Sequence, residues 1–541
     1  MDRLRRFHEA HRGESAPLLA IRRFVESHGN PSPAEISEIS QEVALPQAAV
    51  RGAISYYSDL HNDPVATRVC LGTSCVLAGA KELMSAARER TACRPVYCVG
   101  FCDRSPAALR SNGRAVALGG HLPLESLLDA EFPEPSRPFI RSAAKQTIVT
   151  RRIGRGDFSD LDRARSDGAY ETLVKARRMK PEDVLSTMER SGERGRGGGA
   201  FPTGTKWRRC AEVRSDLKYV VANGDEGDPG SFIDRVLMED DPHAILEGMA
   251  ICGHSVGAQK GIVYIRSEYP RAIERMKSAI ENATAAGMLN DFAVSIFPGM
   301  GSYVCGEETA LLNAIEGLRG EVRLRPPYPV VEGLFGKPTV VNNVETLVNA
   351  PWILDRGAED YAALGTKASP GTKAICLNHG FALPGILEVE FGRGLREVIE
   401  LDAGGGANGH ELQAILIGGP MGSVALPTQW DVPICYDAMA ERNLVLGHAG
   451  MVAIPEGTDL RAIFLHWLEF MTEESCGKCV PCRFGSRQAL DVARGGAGPN
   501  VRAEINRLMD IMAQGSLCAF GQLIPGPMSQ MLEYFGDRIF Q

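Results

Sequence analysis

The chain has 541 residues, 44% apolar and 23% charged, with a formal net charge of −8. That length makes several domains with separate cores, and an acidic balance without a basic block argues against a nucleic-acid binder. No apolar run reaches the roughly eighteen residues of a membrane span, and fourteen cysteines in so long a chain fit a reducing compartment, the cytoplasm, better than a disulfide framework.

The start, Met1 to Arg12, is arginine-rich but lacks an apolar segment, so it reads as an exposed helix and not as a secretory signal. Residues 1–60 read as a helical bundle. Leu18, Leu19, Ile21, Phe24 and Val25 recur at helical spacing until Asn30-Pro31-Ser32-Pro33 breaks the run. Ser32 and Glu35 have capping-box spacing, and a third helix after Pro46 carries Val50, Ile54 and Tyr57.

Residues 61–130 read as a small thioredoxin-like α/β module: a strand over Val65 to Cys70, a helix over Gly79 to Arg90, a strand over Pro95 to Cys98, and a hairpin around Asn112-Gly113. Cys70 and Cys75 form C-x4-C, and Cys98 and Cys102 form C-x3-C. Four thiolates on two loops suit a binuclear iron–sulfur cluster, although zinc or a disulfide pair draws on the same residues. Residues 131–150, opening with Phe132-Pro133-Glu134-Pro135, read as a linker.

Residues 151–364 contain the densest glycine stretch, Gly192 to Trp207. Glycine backbones approach a ligand closely, and free N–H groups feeding a helix attract anions. Arg196 and Lys206 add charge, and Phe201 and Trp207 add flat faces; the combination suits a planar phosphorylated cofactor, with a flexible linker or an ordinary dinucleotide loop as rivals. Lys218 to Ala222 reads as a buried strand that delivers the acidic loop 223–228 to the edge where open α/β sheets bind ligands. Further strands are expected at Lys260 to Arg266 and Ala293 to Phe297, and Glu307 and Glu308 open a helix.

Residues 365–455 are β-rich, with strands expected at Ala374 to Leu377, Gly385 to Phe391, Ala414 to Ile417 and Leu444 to Leu446, and the reading is structural. Residues 456–541 are helical and carry Cys476, Cys479, Cys482 and a remote Cys518, the spacing of a cubane cluster, with zinc as the rival. The other six cysteines, Cys93, Cys210, Cys252, Cys305, Cys376 and Cys435, read as small buried hydrophobes.

Four stretches in order, Gly192 to Trp207, Asn223 to Phe232, Tyr303 to Thr309 and Gly336 to Thr346, resemble the NADH-binding flavoprotein subunit of respiratory complex I and its soluble diaphorase relatives. The part before the linker is similar to the thioredoxin-like [2Fe–2S] subunit that partners it. The resemblance implies a multidomain α/β and α+β fold: an N-terminal helical bundle and thioredoxin-like module, a Rossmann-like FMN and NAD(H) domain at 151–364, a ubiquitin-like β insert at 365–455, and a C-terminal helical bundle with an iron–sulfur cluster.

For FMN it implies Gly195, Arg196, Gly197, Gly198, Lys206, Asn223, Asp225, Glu226, Tyr303, Gly306, Glu307, Asn342, Asn343 and Thr346. NAD(H) would lie on Phe201 with Asp228, Glu308, Arg325 and Tyr328 nearby, Phe201 and Glu308 positioning the hydride transfer. Arg325, Tyr328 and Arg209 depart from the usual lysine, phenylalanine and second aromatic, and the spacing between Cys75 and Cys98 is shorter than usual. Cys70, Cys75, Cys98 and Cys102 would hold [2Fe–2S], and Cys476, Cys479, Cys482 and Cys518 would hold [4Fe–4S].

The implied function is a diaphorase subunit, an NADH dehydrogenase or NAD+ reductase, that converts hydride transfer at FMN into one-electron transfer. The expected partner is a large catalytic subunit with its own iron–sulfur relay, foremost a molybdenum or tungsten formate dehydrogenase. The alternative is a nickel hydrogenase or a fused complex I module; a non-catalytic iron–sulfur adaptor belongs to a different class.

Overall fold

The computed structural model describes residues 17–61, 66–120, 122–129 and 131–540; the arginine-rich start and Val65 lie outside them. Three helices, Pro17–His28, Pro33–Glu42 and Gln47–Tyr56, open the described chain. The second is capped at both partners, the Ser32 hydroxyl accepting from Glu35 N–H and the Glu35 carboxylate from Ser32 N–H at 2.7 Å, with Pro33 where no N–H is required.

The thioredoxin-like module has four strands, β1 (Thr67–Cys70), β2 (Cys93–Val96), β3 (Ala107–Leu109) and β4 (Ala115–Ala117), in the order β2-β1-β3-β4. Only β1 and β2 run parallel, joined through the helix Ala80–Arg88; β3 and β4 form the hairpin that Asn112-Gly113 predicts.

The linker expectation holds only for part of its span. Residues Ile140–Ser142 form β5, and the N–H groups of Ile148, Val149 and Thr150 donate to the buried Glu388 carboxylate at 2.8, 3.0 and 2.8 Å. Proline density ends at Pro138, and the residues after it have free N–H groups for pairing.

The central domain is built on a parallel sheet of β6 (Tyr219–Gly224), β7 (Lys260–Ile265), β8 (Ala293–Pro298) and β9 (Thr339–Asn343), ordered β8-β7-β6-β9. Side-chain alternation buries both faces. Val220, Ala222, Val263, Ile265 and Val340 enter a core with helices Pro242–Val256 and Val344–Arg356. Tyr219, Val221, Tyr264 and Val341 enter a second core with Leu18, Ile21, Val50 and Tyr57. The N-terminal helices therefore form a layer of the central sandwich. Tyr56 and Tyr57 fasten it by donating to Gly320 O and Leu318 O at 2.9 and 2.7 Å.

The β-rich domain holds β10 (Thr372–Leu377), β11 (Gly385–Glu390), β12 (Leu412–Ile417), β13 (Ser423–Ala425) and β14 (Gly450–Pro455). With β5 they make one sheet, ordered β13-β12-β14-β10-β11-β5, β5 lying parallel to β11. The strand expected at Leu444 to Leu446 is absent. Asn443 and Gly447 take φ of 58° and 56°, which breaks extended pairing, while Leu444 and Leu446 anchor the segment in the core. Helices Leu460–Glu474, Val480–Gly495, Pro499–Gly515 and Pro525–Ile539 close the molecule around Phe464, Leu468, Met509 and Met531. No described helix is long and apolar enough to cross a membrane.

The crossing of Pro242–Val256 on Val344–Arg356 depends on one missing side chain, because a Cβ at Gly248 would stand 2.1 Å from Leu347 O. Gly248→Ala is expected to destabilise the central domain by about 1–3 kcal/mol, as overpacking does, lowering its thermal transition by several degrees. An unchanged melting curve, read by far-ultraviolet dichroism, would contradict this packing.

Candidate functional site

Loop 225–231 leaves the C-terminal end of β6 and faces the glycine loop, the segment Tyr303–Gly306 and turns of the β-rich domain. Together they enclose a cleft of about 240 Å³. The glycine loop is a closed hoop: Gly195 N–H donates to Phe201 O, and Arg194 Nε to Ala200 O, both at 2.9 Å. A Cβ at Gly197 would meet Asn343 Cβ at 2.9 Å, so that glycine is required. Ala200 carries a left-handed φ of 49°, a strained choice that glycine would relieve.

The hoop's charged and aromatic side chains do not all serve the cleft. Arg196 lines it, yet its guanidinium is buried behind the loop, 2.7 Å from Glu193 and bonded to Tyr361 Oη and Pro370 O. That charge is neutralised by Glu193, so the expected phosphate-facing cation is a structural one. Trp207 is wholly buried and donates to Asn342 Oδ1 at 2.8 Å, so neither that ring nor that amide oxygen is free for a ligand. Thr346 Oγ1 accepts from Arg196 N–H at 2.9 Å, and with Asn342 it steadies the loop from behind.

Gly197, Gly198, Asn223, Asp225, Glu226, Asp228, Tyr303, Gly306, Glu307 and Asn343 line the cleft. Glu226 is fully committed, accepting from Ser231 Oγ at 2.6 Å, Asp234 N at 3.1 Å and Arg235 N at 3.0 Å. Asn343 donates to Asp234 at 2.6 Å and Asn223 to Gly306 O at 2.8 Å. Burial raises the Asp225 carboxyl well above its ordinary range despite the nearby Arg266, and burial with the Glu226 charge does the same to Asp234. Each keeps one oxygen without a protein partner, Asp225 Oδ2 and Asp234 Oδ1, positions suited to ligand hydroxyls. Asp228 accepts from the Tyr303 hydroxyl on one oxygen, while the other stands 3.1 Å from His448 Nε2 without a hydrogen bond between them.

Gly195, Phe201, Lys206, Glu308, Arg325 and Tyr328 stand outside the cleft lining. Lys206 Nζ bridges Glu308 at 3.2 Å and Val341 O at 2.9 Å, and Arg325 reaches Glu308 at 3.4 Å. Phe201 is 43% exposed with Arg209 5.8 Å from its ring centre, and Tyr328 is also exposed. Exposed rings offer a stacking face, and the ion-paired Glu308 a hydrogen-bond acceptor, outside the cleft lining.

The reading of the β-rich domain as purely structural is overturned. Gly418, Met421, Val445, Gly447 and His448 line the cleft, and the buried Lys373 pairs with Glu345 beneath it. The signal lay in two glycine clusters, Gly418-Gly419-Pro420-Met421-Gly422 and Gly447-His448-Ala449-Gly450, whose close approach to other backbone excludes side chains. Ala519, Phe520 and Leu523, just after Cys518, close the opposite wall.

Two thiol quartets flank this cleft. In the first, the Cys98 and Cys102 sulfurs are 3.6 Å apart, and Cys70 and Cys75 interact closely enough to hold the Cys70 thiol down at about 7. Gly72 N, Gly100 N and Gly230 N donate to the sulfurs of Cys70, Cys98 and Cys102 at 3.4, 3.4 and 3.3 Å. Gly230 belongs to the cleft loop, so that loop reaches the first quartet directly. In the second, burial pushes the Cys482 thiol up to about 12, against the Ser475 hydroxyl 3.2 Å away, and Cys479, Cys518 and Cys476 add to the rise. Convergent cysteines with N–H donors to sulfur fit iron–sulfur clusters, where metal takes the place of the proton. Cys93 is half-exposed, unlike the other five cysteines outside the quartets.

Residues 188–352 match the Nuo51 FMN-binding domain, 462–541 the NADH-ubiquinone oxidoreductase-F iron–sulfur binding region, and 4–115 the thioredoxin-like [2Fe–2S] ferredoxin. The NADP-reducing hydrogenase subunit HndC of Solidesulfovibrio fructosivorans is 41% identical over 404 residues, 72% of this chain and 82% of that one. The chain belongs to the family of F-type, FMN-binding subunits of NADH oxidoreductases. A second F-type member, from the NADH-quinone oxidoreductase of Rhizobium meliloti, is 37% identical over 72% of this chain and 96% of its own. A chain of an air-oxidised NAD+-reducing [NiFe]-hydrogenase superposes with a TM-score of 0.83 at 28% identity, covering 98% of this chain and 94% of that one. As an F-type oxidoreductase subunit with a fused [2Fe–2S] module, the protein carries FMN, NAD(H), [2Fe–2S] and [4Fe–4S] as cofactors.

Full-length protein purified without oxygen is expected to hold about six iron atoms per chain, two in one cluster and four in the other. Replacing Cys98 and Cys102 by alanine should lower the count to about four, and replacing Cys479 and Cys482 to about two. Zinc in place of iron at either quartet would overturn the assignment.

Proposed function

We propose that this chain is the diaphorase subunit of a multi-subunit dehydrogenase, exchanging hydride with NAD(H) on one side and single electrons with a partner on the other. The observation that carries the reading is the position of the cleft between two thiol quartets. Its floor loop reaches Cys102 through Gly230 N–H, and its far wall is the Ala519-Phe520 segment next to Cys518. Bound flavin supplies the conversion between a two-electron hydride and single electrons.

The chain's own residues do the rest. Gly197 and Gly198 let backbone approach the ring system, and the partnerless oxygens of Asp225 and Asp234 take hydroxyls. Phe201 gives the dinucleotide a stacking face, while ion pairs with Lys206 and Arg325 fix the direction of Glu308. Tyr303 packs edge-on against Phe470 at 5.0 Å and tilted against Phe520 at 5.7 Å, an aromatic cluster between the cleft loop and the segment after Cys518.

The fusion of both modules in one chain argues against a standard complex I; among soluble dehydrogenases our first reading of the partner is a molybdenum or tungsten formate dehydrogenase. A nickel hydrogenase is the second reading, favoured by the hydrogenase chain whose fold accounts for 98% of this one, fused module included. Metal analysis of the co-purifying large subunit decides: molybdenum or tungsten supports formate, and nickel supports hydrogen.

Phe201→Ala is expected to raise the KM for NADH about 5- to 150-fold, the loss of roughly 1–3 kcal/mol of stacking, with FMN content unchanged. Loss of FMN with NADH binding intact would move Phe201 from the dinucleotide to the flavin.

A further inference from the structure

The walls of the cleft are rich in hydrogen-bond acceptors and poor in free donors. Asp225, Glu226, Asp228, Asp234, Glu307 and Glu345 all line it. Most side-chain donors around it already have a protein acceptor: Asn343 on Asp234, Asn223 on Gly306 O, Ser231 on Glu226, Tyr303 on Asp228 and Lys373 on Glu345. Arg196 is turned behind the loop toward Glu193, its guanidinium 4.7 Å from the centre of the Phe391 ring. An oxidised flavin ring offers several acceptor atoms and a single N–H, so a side-chain donor left unengaged in this lining would find an acceptor on it.

His448 supplies one. Its Nδ1 accepts from Gly450 N–H at 3.0 Å, which places the ring hydrogen on Nε2. That nitrogen is buried and lies 3.1 Å from Asp228 Oδ2, yet it is not aligned as a hydrogen bond to any protein acceptor. The space in front of it is kept open by backbone. A Cβ at Gly419 would stand 2.8 Å from Nε2 and 3.2 Å from Asp228 Cγ, and Gly419 has a left-handed φ of 71° that disfavours any side chain.

We propose that the Nε2–H of His448 is a hydrogen-bond donor to the flavin held in the cleft. The inference rests on the cleft being the FMN site, and it makes the β-rich domain a contributor of a cofactor-binding side chain. Burial lowers the imidazole's proton affinity and Asp228 only partly opposes this, so the ring stays a neutral donor. Asp228 holds the ring electrostatically without taking its hydrogen, which leaves the N–H for an acceptor on the ligand.

The test uses full-length holoprotein and three variants, with FMN as the probe. His448→Phe keeps ring volume and removes the donor; His448→Gln returns an N–H at a similar distance from the backbone. Gly197→Val, whose branches would fill the space against Asn343, is the control for the cleft itself. The readouts are FMN Kd by fluorescence, the visible absorption of the bound oxidised flavin, and its midpoint potential. His448→Phe should weaken FMN binding about tenfold, shift the absorption band and make the potential more negative, and His448→Gln should recover most of each change.

Wild-type values in His448→Phe would overturn the proposal, and so would a change confined to the KM for NADH. If Gly197→Val, with iron content intact, still binds FMN as tightly as wild type, the cleft is not the flavin site and the underlying reading fails instead.

Discussion

A single buried guanidinium ties the redox regions together. Arg266, at the end of β7, donates to Cys98 O at 2.7 Å, to Tyr97 O at 2.8 Å and to Glu226 O at 2.9 Å. Two of those carbonyls belong to the first thiol quartet's loop and one to the cleft loop. Its charge is met by Glu268 at 3.0 Å and, more distantly, by Asp225 at 3.8 Å. A buried cation satisfied this fully fixes geometry more than it adds stability, since removing one partner would strand the others in a low dielectric. The thioredoxin-like module and the flavoprotein sheet are thus registered by backbone carbonyls converging on one side chain. The N–H of Gly230 on Cys102 then follows from that registration.

The distribution of acids follows from the same packing. Glu226 spends its oxygens on backbone N–H groups at the start of the helix Ile233–Asp240, where a helix terminus offers unpaired donors. Asp225, and Asp234 although it stands in that helix's own first turn, accept none of those N–H groups on their carboxylates and are driven toward the protonated form by burial. Neighbouring carboxylates of the same type therefore play different parts, one a brace and two open to a ligand, and only the surrounding donors distinguish them.

Much of this was legible from residue order. The glycine loop, the acidic loop after β6 and the spacing of both quartets pointed to the cleft because local spacing constrains them directly. Side-chain direction was not legible. Arg196 and Trp207 have the right chemistry at the right place, but Glu193, Tyr361 and Asn342 draw them inward; Glu193 is in the loop itself, while Tyr361 and Asn342 lie more than a hundred residues away. The part of the β-rich domain in the site was also hidden. Gly418, Gly447 and His448 sit in connections between strands, and only the tertiary fold carries those connections over the cleft. The linker was misjudged at its far end because composition marks where proline stops pairing, not where a new strand starts.

Strand β5 has a consequence for how the two halves of the chain find each other. Since residues 140–142 are already an edge strand of the flavoprotein half, the true tether is only the stretch 131–139. So short a leash keeps the thioredoxin-like module at an effective concentration on the order of millimolar beside its dock. An interface too weak to hold two free polypeptides at cellular dilution would still stay closed here. Covalent fusion thereby frees the contact surface from the demand for affinity and leaves it to be shaped by the spacing of its redox centres.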